Sequence, residues 1–155
     1  MTNLPYPAPQ VHLPRDGGDI VNLVDLKPSL VVLFFYPRDN TSGCTVEAKT
    51  FTSLLSEFEA MNTKVIGVSK DSVKSHEKFI FKQELKIPLL SDENSDVCEK
   101  FKVWKEKSMY GKKFFGIERS TFLINSEGQV IREWRKVQVP GHAESVLVSV
   151  KELLS

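Results

Sequence analysis

The chain has 155 residues, 41% of them hydrophobic and 26% charged, with a formal net charge of +1. That balance fits one soluble globular domain with a core of ordinary size, and it gives no pull toward nucleic acid or an anionic membrane. Its two cysteines, Cys44 and Cys98, are far apart and do not form a disulfide framework, so a reducing compartment such as the cytoplasm is expected.

The opening "MTNLPYPAPQVHLPRDG" has no basic region followed by an apolar stretch, so no secretory signal is expected there. Residues 1–10 read as a Pro-rich, extended segment lying over the surface of a single domain spanning 1–155. No apolar run approaches membrane-spanning length. "LVVLFFY", Leu30 to Tyr36, is continuously apolar and stops at Pro37, the pattern of a central strand buried on both faces. The turn cluster "PRDNTSG" follows. Ala48, Phe51, Leu55 and Phe58 then recur at helical spacing, and Cys44 extends the stripe back to the helix start. Thr41 or Ser42 is placed to cap the free N–H groups there.

"KVIGVS" (64–69) predicts a second buried strand, and a helix is expected over about 72–83. "IPLLSD" predicts a third strand and "SDVCEKF" a short helical turn. "STFLINSEGQVIREW" reads as a β-hairpin turning at Asn125-Ser126-Glu127-Gly128. In the tail, Ala143, Val146, Leu147, Val150 and Leu154 share one face of a docked amphipathic helix. The alternation implies an α/β fold with helices on both faces of a sheet. A parallel βαβ start with a ββα finish is the thioredoxin-like arrangement. In such sheets reactive groups gather beyond the carboxyl ends of the strands, where "PRDNTSGC" lies.

Cys44 has two readings. Free cysteine is among the most buried residue types, and this one shares a stripe with Ala48 and Phe51. A thiolate at a helix N-terminus, however, faces unpaired N–H groups and the positive end of the dipole, which lowers its pKa and makes it a nucleophile. Thr41, three residues earlier, is either a plain N-cap or a donor to the sulfur or to an oxygen approaching it. Pro37 is either a strand terminator or one wall of a pocket. Other cysteine chemistries fit poorly. A Cys-x-x-Cys motif is absent, with Thr41 and Glu47 at the two possible positions, and no phosphate-binding Arg follows in "CTVEAKT". His12, His76 and His142 are distant in sequence, and His76 and His142 sit in helical contexts where surface or capping roles are commoner. No Cys or His pair has metal-ligand spacing, so neither a metal nor a cofactor is expected.

Pro37, Thr41 and Cys44 together resemble the peroxiredoxin active-site pattern Pro-x-x-x-Thr-x-x-Cys. "FFYPRDNTSGCTVEA" is similar to the branch named for bacterioferritin comigratory protein, also called Q-type. The likeness continues in "VWKEKSMYGKKFFGIERSTFLI", Gly128 and "GHAESVL", from about Val11 to the C-terminus. The resemblance implies a thioredoxin-like fold and a thiol-dependent peroxidase, with Cys44 as the peroxidatic thiolate that becomes a sulfenic acid. It implies that Thr41 and the N–H groups near Gly43 and Cys44 bind the peroxide oxygens. Pro37 would shield the sulfenic acid. Arg119 would pair with Cys44 and orient peroxide, and Glu47 is a supporting residue.

This chain departs from many members of that branch at one point. Five residues after Cys44, where they carry a resolving cysteine, stands Lys49, and "EKFIFKQ" supplies none. Cys98 is the one other thiol and so the candidate resolving cysteine, but its spacing with Val97 and Phe101 places it on a core-facing turn, where a buried structural cysteine is the commoner state. The expectation is a one-cysteine mechanism recycled by thioredoxin, glutaredoxin or a small thiol, in a monomer or weak dimer. A redox-responsive binding or chaperone protein that uses Cys44 oxidation as a switch is the competing class.

Overall fold

The structure, a computed structural model, describes residues 3–155. Its strands are β1 (Tyr6–Pro7), β2 (His12–Pro14), β3 (Ile20–Asn22), β4 (Leu30–Phe35), β5 (Thr63–Ser69), β6 (Leu89–Ser91), β7 (Trp104–Met109), β8 (Lys112–Ile117), β9 (Ser120–Ile124) and β10 (Gln129–Trp134). The helices are α1 (Ser42–Ser53), α2 (Leu55–Ala60), α3 (Val73–Gln83), α4 (Val97–Lys100) and α5 (His142–Leu154). A six-stranded sheet runs in the order β1-β10-β9-β4-β5-β6. β4, β5 and β6 are parallel, while β9 joins β4 antiparallel and begins the expected hairpin with β10.

β4 divides the core. Val32, Phe34 and Tyr36 point into one cluster, and Val31, Leu33 and Phe35 into the other, as the two-residue period of a strand requires. The first cluster takes Ala48 and Phe51 of α1, Phe58 of α2, Phe79 of α3 and Ala143, Val146 and Val150 of α5. The second takes Val97, Cys98 and Phe101 from α4 and its end, together with Val11, Leu13 and Ile117. Helices therefore flank both faces, as expected, but unequally. The second face is closed mainly by the N-terminal segment and short connections, whose polar composition hides their covering role in the sequence.

Several expectations need adjustment. Residues 1 and 2 of the expected N-terminal segment lie outside the described residues; the remainder is extended, and Tyr6 and Pro7 pair with Val130 and Gln129 as an edge strand. The stripe predicted from Ala48 to Phe58 is carried by two helices, because the chain leaves α1 at Leu54 (φ −98°, ψ 0°) and re-enters as α2. Leu154 is 56% exposed and is not part of the docked face of α5, whose contacts end at Val150. Two hairpins were not expected, β2–β3 and β7–β8. The second hides behind four lysines and a glutamate in its strands, residue types depleted in β-structure. It turns at Tyr110 and Gly111, both with positive φ, 52° and 78°, the two-residue arrangement that matches strand twist. Among the described residues no helix is long and apolar enough to cross a membrane.

Candidate active site

α1 begins just beyond the carboxyl end of β4, with Thr41 as its extended N-cap residue (φ −86°, ψ 155°). The first ladder bond runs from Thr45 N–H to the Thr41 carbonyl at 2.9 Å, so the N–H groups of Ser42, Gly43 and Cys44 precede the ladder and point out of the helix end. Thr41 does not cap with its side chain, contrary to expectation. Its hydroxyl donates to the Arg38 carbonyl at 2.9 Å, which ties the loop to itself instead of using up a helix N–H. Cys44 is 1% exposed and its sulfur lies at the edge of the first core cluster.

Arg119 comes from the link between β8 and β9, and its carbonyl accepts from Val137 N–H at 3.0 Å. Its guanidinium forks. Nη2 donates to Cys44 Sγ at 3.4 Å and Nη1 donates to Glu47 Oε1 at 2.6 Å. One planar cation thus meets the sulfur and a carboxylate from two separate nitrogens held in a fixed fork, whereas a lysine has one nitrogen to serve both. A Cβ placed on Gly43 would lie 3.3 Å from Arg119 Nη2, so the absent side chain is what lets the guanidinium close over the helix end. Burial works against the Arg119 charge, but Glu47 and Cys44 outweigh it and its pKa is raised.

Glu47, expected as a supporting residue, is the carboxylate that meets the other arm of Arg119. It sits three residues after Cys44 on the buried stripe of α1, is 1% exposed, and leaves Oε2 with no hydrogen-bond partner among the described residues. Burial pushes its carboxyl up to about 7, against the pull of Arg119. A glutamate on an otherwise apolar stripe was the signal in the sequence. Because the folded value lies above the ordinary one, the stability linked to this group is full below about pH 4.5 and is lost as pH rises through about 7. Glu47→Gln keeps an acceptor for Arg119 and cannot ionise. Urea unfolding between pH 4 and 8 should show the wild type losing roughly 3 kcal/mol more than the variant across that window. Parallel profiles would contradict the assignment.

Three further side chains surround the cation without having been singled out for it. Lys107 Nζ donates to the Ile117 carbonyl at 2.6 Å, its stem lying over Gly116, where a Cβ would be 3.3 Å from Lys107 Cδ. Burial, then the neighbouring Arg119, lowers its pKa. His142 is buried, not a surface residue: Nε2 and Thr121 Oγ1 are 2.7 Å apart, and burial, then Arg119, lowers it to about 4, so it is a neutral imidazole. Val139 Cγ2 lies 3.9 Å from the position of a Cβ on Gly43. These residues converge only through the β8–β9 and β10–α5 links, which no local pattern reveals.

Cys44, Gly43, Glu47 and Arg119 are brought together. Pro37 is half-buried at the start of the loop, and Thr41 turns to Arg38. Cys98 is elsewhere: it is wholly buried in the second core cluster, across the sheet from Cys44. Asp92 accepts from the N–H groups of Val97 and Cys98 at 3.1 and 2.7 Å, locking α4 in place. Burial, then Asp92, pushes the Cys98 thiol well above its ordinary range. Among the described residues no cluster of His, Cys, Asp and Glu is arranged to hold a metal ion.

The arrangement is a single thiol, a forked cation and free N–H groups at a helix end, suited to stabilising negative charge on a small oxygen-bearing ligand. The profile of the AhpC/TSA family matches residues 5–133. "Peroxiredoxin Bcp" of Xanthomonas campestris pv. campestris is 49% identical over 150 residues, covering 96% of this chain and 94% of that one. A solved structure of Xanthomonas campestris bacterioferritin comigratory protein, described for its alkyl peroxide reduction activity, superimposes with a TM-score of 0.89 at 47% identity, covering 94% and 92% of the two chains. A mutant PrxQ of Xylella fastidiosa gives a TM-score of 0.91 at 41% identity, covering 99% and 100%.

Proposed function

Because this chain belongs to the AhpC/TSA family, as a one-cysteine peroxiredoxin of the Bcp branch that reduces hydroperoxides with a thiol reductant, we propose that Cys44 is its peroxidatic residue and Arg119 the group that holds both sulfur and peroxide. The observation that carries this reading is the 3.4 Å contact of Arg119 Nη2 with Cys44 Sγ at the head of α1. The Cys44 thiolate attacks the terminal oxygen of the hydroperoxide. An S–O bond forms as the O–O bond breaks, the leaving oxygen takes a proton, and water or an alcohol departs. The N–H groups of Gly43 and Cys44 with the Arg119 guanidinium stabilise the charge that develops on the two oxygens. Thr41 joins them by turning its hydroxyl from Arg38 to the peroxide. Pro37 walls one side of the loop and keeps water from the sulfenic acid.

An external thiol then attacks the sulfenic sulfur and releases water, and a second thiol completes reduction of Cys44 with formation of the donor's disulfide. Thioredoxin, glutaredoxin and small thiols are the candidate donors. The whole chain, 1–155, acts as one catalytic unit, as a monomer or weak dimer, in a reducing compartment such as the cytoplasm. Cys98 takes no part: bridging to Cys44 requires Cα atoms within about 7 Å, and the sheet separates the two core clusters. Peroxide consumption with a panel of thiol donors tests this. Cys98→Ser should turn over within about twofold of wild type, and intact mass after one equivalent of peroxide should show a Cys44 sulfenic acid or donor adduct. A Cys44–Cys98 disulfide in the peptide map would overturn the one-cysteine recycling.

A further inference from the structure

Behind the loop that carries Pro37 and Thr41 lies a buried polar cluster that the chemistry above does not use. Asp39 is at its centre, 7% exposed, between Pro37 and Thr41. Its Oδ1 accepts from Tyr36 Oη at 2.6 Å. Its Oδ2 accepts from Ser75 Oγ at 2.8 Å and lies 2.8 Å from His76 Nδ1. Its own N–H donates to Asp71 Oδ2 at 2.9 Å, an oxygen that also accepts from Ser69 Oγ at 2.6 Å. The opposite nitrogen of the imidazole, His76 Nε2, is 2.9 Å from the Leu90 carbonyl of β6. His76 is fully buried, not the surface residue that a helical context suggests. Its place on the apolar face of α3, three residues before the buried Phe79, required it to point inward.

A carbonyl oxygen only accepts, so Nε2 carries a proton and donates to Leu90. Nδ1 faces Asp39 Oδ2 and, at 3.4 Å, the Tyr36 hydroxyl. The groups facing the ring come from several elements. Asp39 approaches from the active-site loop, Tyr36 from the end of β4, and Asp71, through Asp39 N–H and Ser69, from the loop after β5. β6 offers only the Leu90 carbonyl. Burial, then Asp39, raises Tyr36 well above its ordinary range, so it remains a phenol. Among the described residues no lysine or arginine is paired with Asp39 or Asp71, and His76 is the basic side chain that Asp39 meets.

We propose, on the peroxidase reading above, that His76 is a positioning residue for the reaction: by bridging the Leu90 carbonyl and Asp39, it fixes the 37–41 loop and thereby the place where Thr41 and the head of α1 meet the hydroperoxide. The loop needs such a brace. Asn40 is held at φ 63°, in the left-handed region, and the Thr41 side chain bonds only within the loop, to Arg38. Asp39 is the residue that ties both its backbone and its side chain to the sheet and to α3. The sulfur is not part of this brace, since Arg119 and the helix end hold it independently.

That separation sets the test. In His76→Gln the single amide nitrogen does not span Leu90 and Asp39. The rate constant for Cys44 oxidation by hydrogen peroxide should fall tenfold or more, while alkylation of Cys44 by iodoacetamide stays within about twofold. ¹⁵N NMR of the imidazole in the unmodified protein should show a proton on Nε2, the one that the Leu90 carbonyl accepts. Retention of the wild-type rate, or parallel loss of oxidation and alkylation, would overturn the proposal. So would a His76 with no proton on Nε2, a readout that needs no variant to fold. A wild type whose Cys44 is not oxidised at all would remove the peroxidase reading itself, whatever the NMR shows of His76.

Discussion

Cys44→Ser should abolish hydroperoxide turnover, lowering kcat/KM by at least about 1,000-fold, or about 4 kcal/mol of barrier. Serine is close in size, so Ala48 and Phe51 keep their packing and the fold should persist. What is lost is the polarisable anion. A hydroxyl beside the same guanidinium stays protonated at neutral pH, and it forms no counterpart of the sulfenic acid. Steady-state peroxide consumption with an excess thiol donor measures the effect, and circular dichroism with a thermal melt establishes that the variant is folded. The remaining thiol cannot substitute, because Cys98 is buried across the sheet beside the Asp92 carboxylate. Residual activity above a few per cent would mean that Cys98 or another group reaches peroxide, and would remove Cys44 from its central place.

Arg119→Ala should lower the rate of Cys44 oxidation by about 100-fold, the size of effect seen when one oriented donor is removed from a charge-stabilising site. On the proposed mechanism Arg119 contributes twice, to the sulfur in the resting enzyme and to the oxygens as charge shifts onto them. Arg119→Lys should recover only part of the loss. A single ammonium nitrogen does not reproduce the fork that reaches Cys44 and Glu47 from two nitrogens, so a deficit of about tenfold should remain. Stopped-flow oxidation separates the two contributions when set beside iodoacetamide alkylation, which reads the sulfur alone. Alkylation should slow less than oxidation. Equal slowing would confine Arg119 to the thiolate and remove it from peroxide binding. The fold should tolerate the alanine, because Glu47, already pushed up to about 7, takes a proton in place of its lost partner.

The two variants probe links of different visibility. The turn "PRDNTSGC" lies between an apolar run that ends at Pro37 and a stripe that begins at Cys44, and β4 and α1 appear where that pattern put them. Period and punctuation are local properties, read from neighbouring residues, so the strand, the helix and the thiol at their junction could be named together. Arg119 was different. It is one of 21 basic residues, and only the likeness to a family raised it above the rest. The 75 positions that separate it from Cys44 are closed by the antiparallel pairing of β9 with β4, a contact that periodicity does not encode. The same reasoning explains Glu47. Its spacing placed it on the buried face of α1, but whether its charge was met depended on what the β8–β9 link delivered there.

His76 and His142 were misjudged for a related reason. A histidine in a helix is ambiguous until its face is known. α3 turns His76 toward Asp39 and Leu90, and the αL conformation of Gly141 starts α5 so that His142 meets Thr121. Cys98 shows the complementary case. Its spacing with Val97 and Phe101 gave burial correctly, yet not the face, and the alternation of β4 between Val32, Phe34 and Tyr36 on one side and Val31, Leu33 and Phe35 on the other is what separates it from Cys44. The sequence by itself determined the central strands, the buried stripes, the thiol at a helix end and the lack of a cysteine at position 49, because each is written in the order of adjacent residues. The tertiary structure alone decided which charges meet that thiol, which carboxylate braces its loop and which side of the sheet the second thiol occupies. Those contacts join residues 37 to 75 positions apart, and their energies depend on burial and geometry that exist only once the sheet has closed.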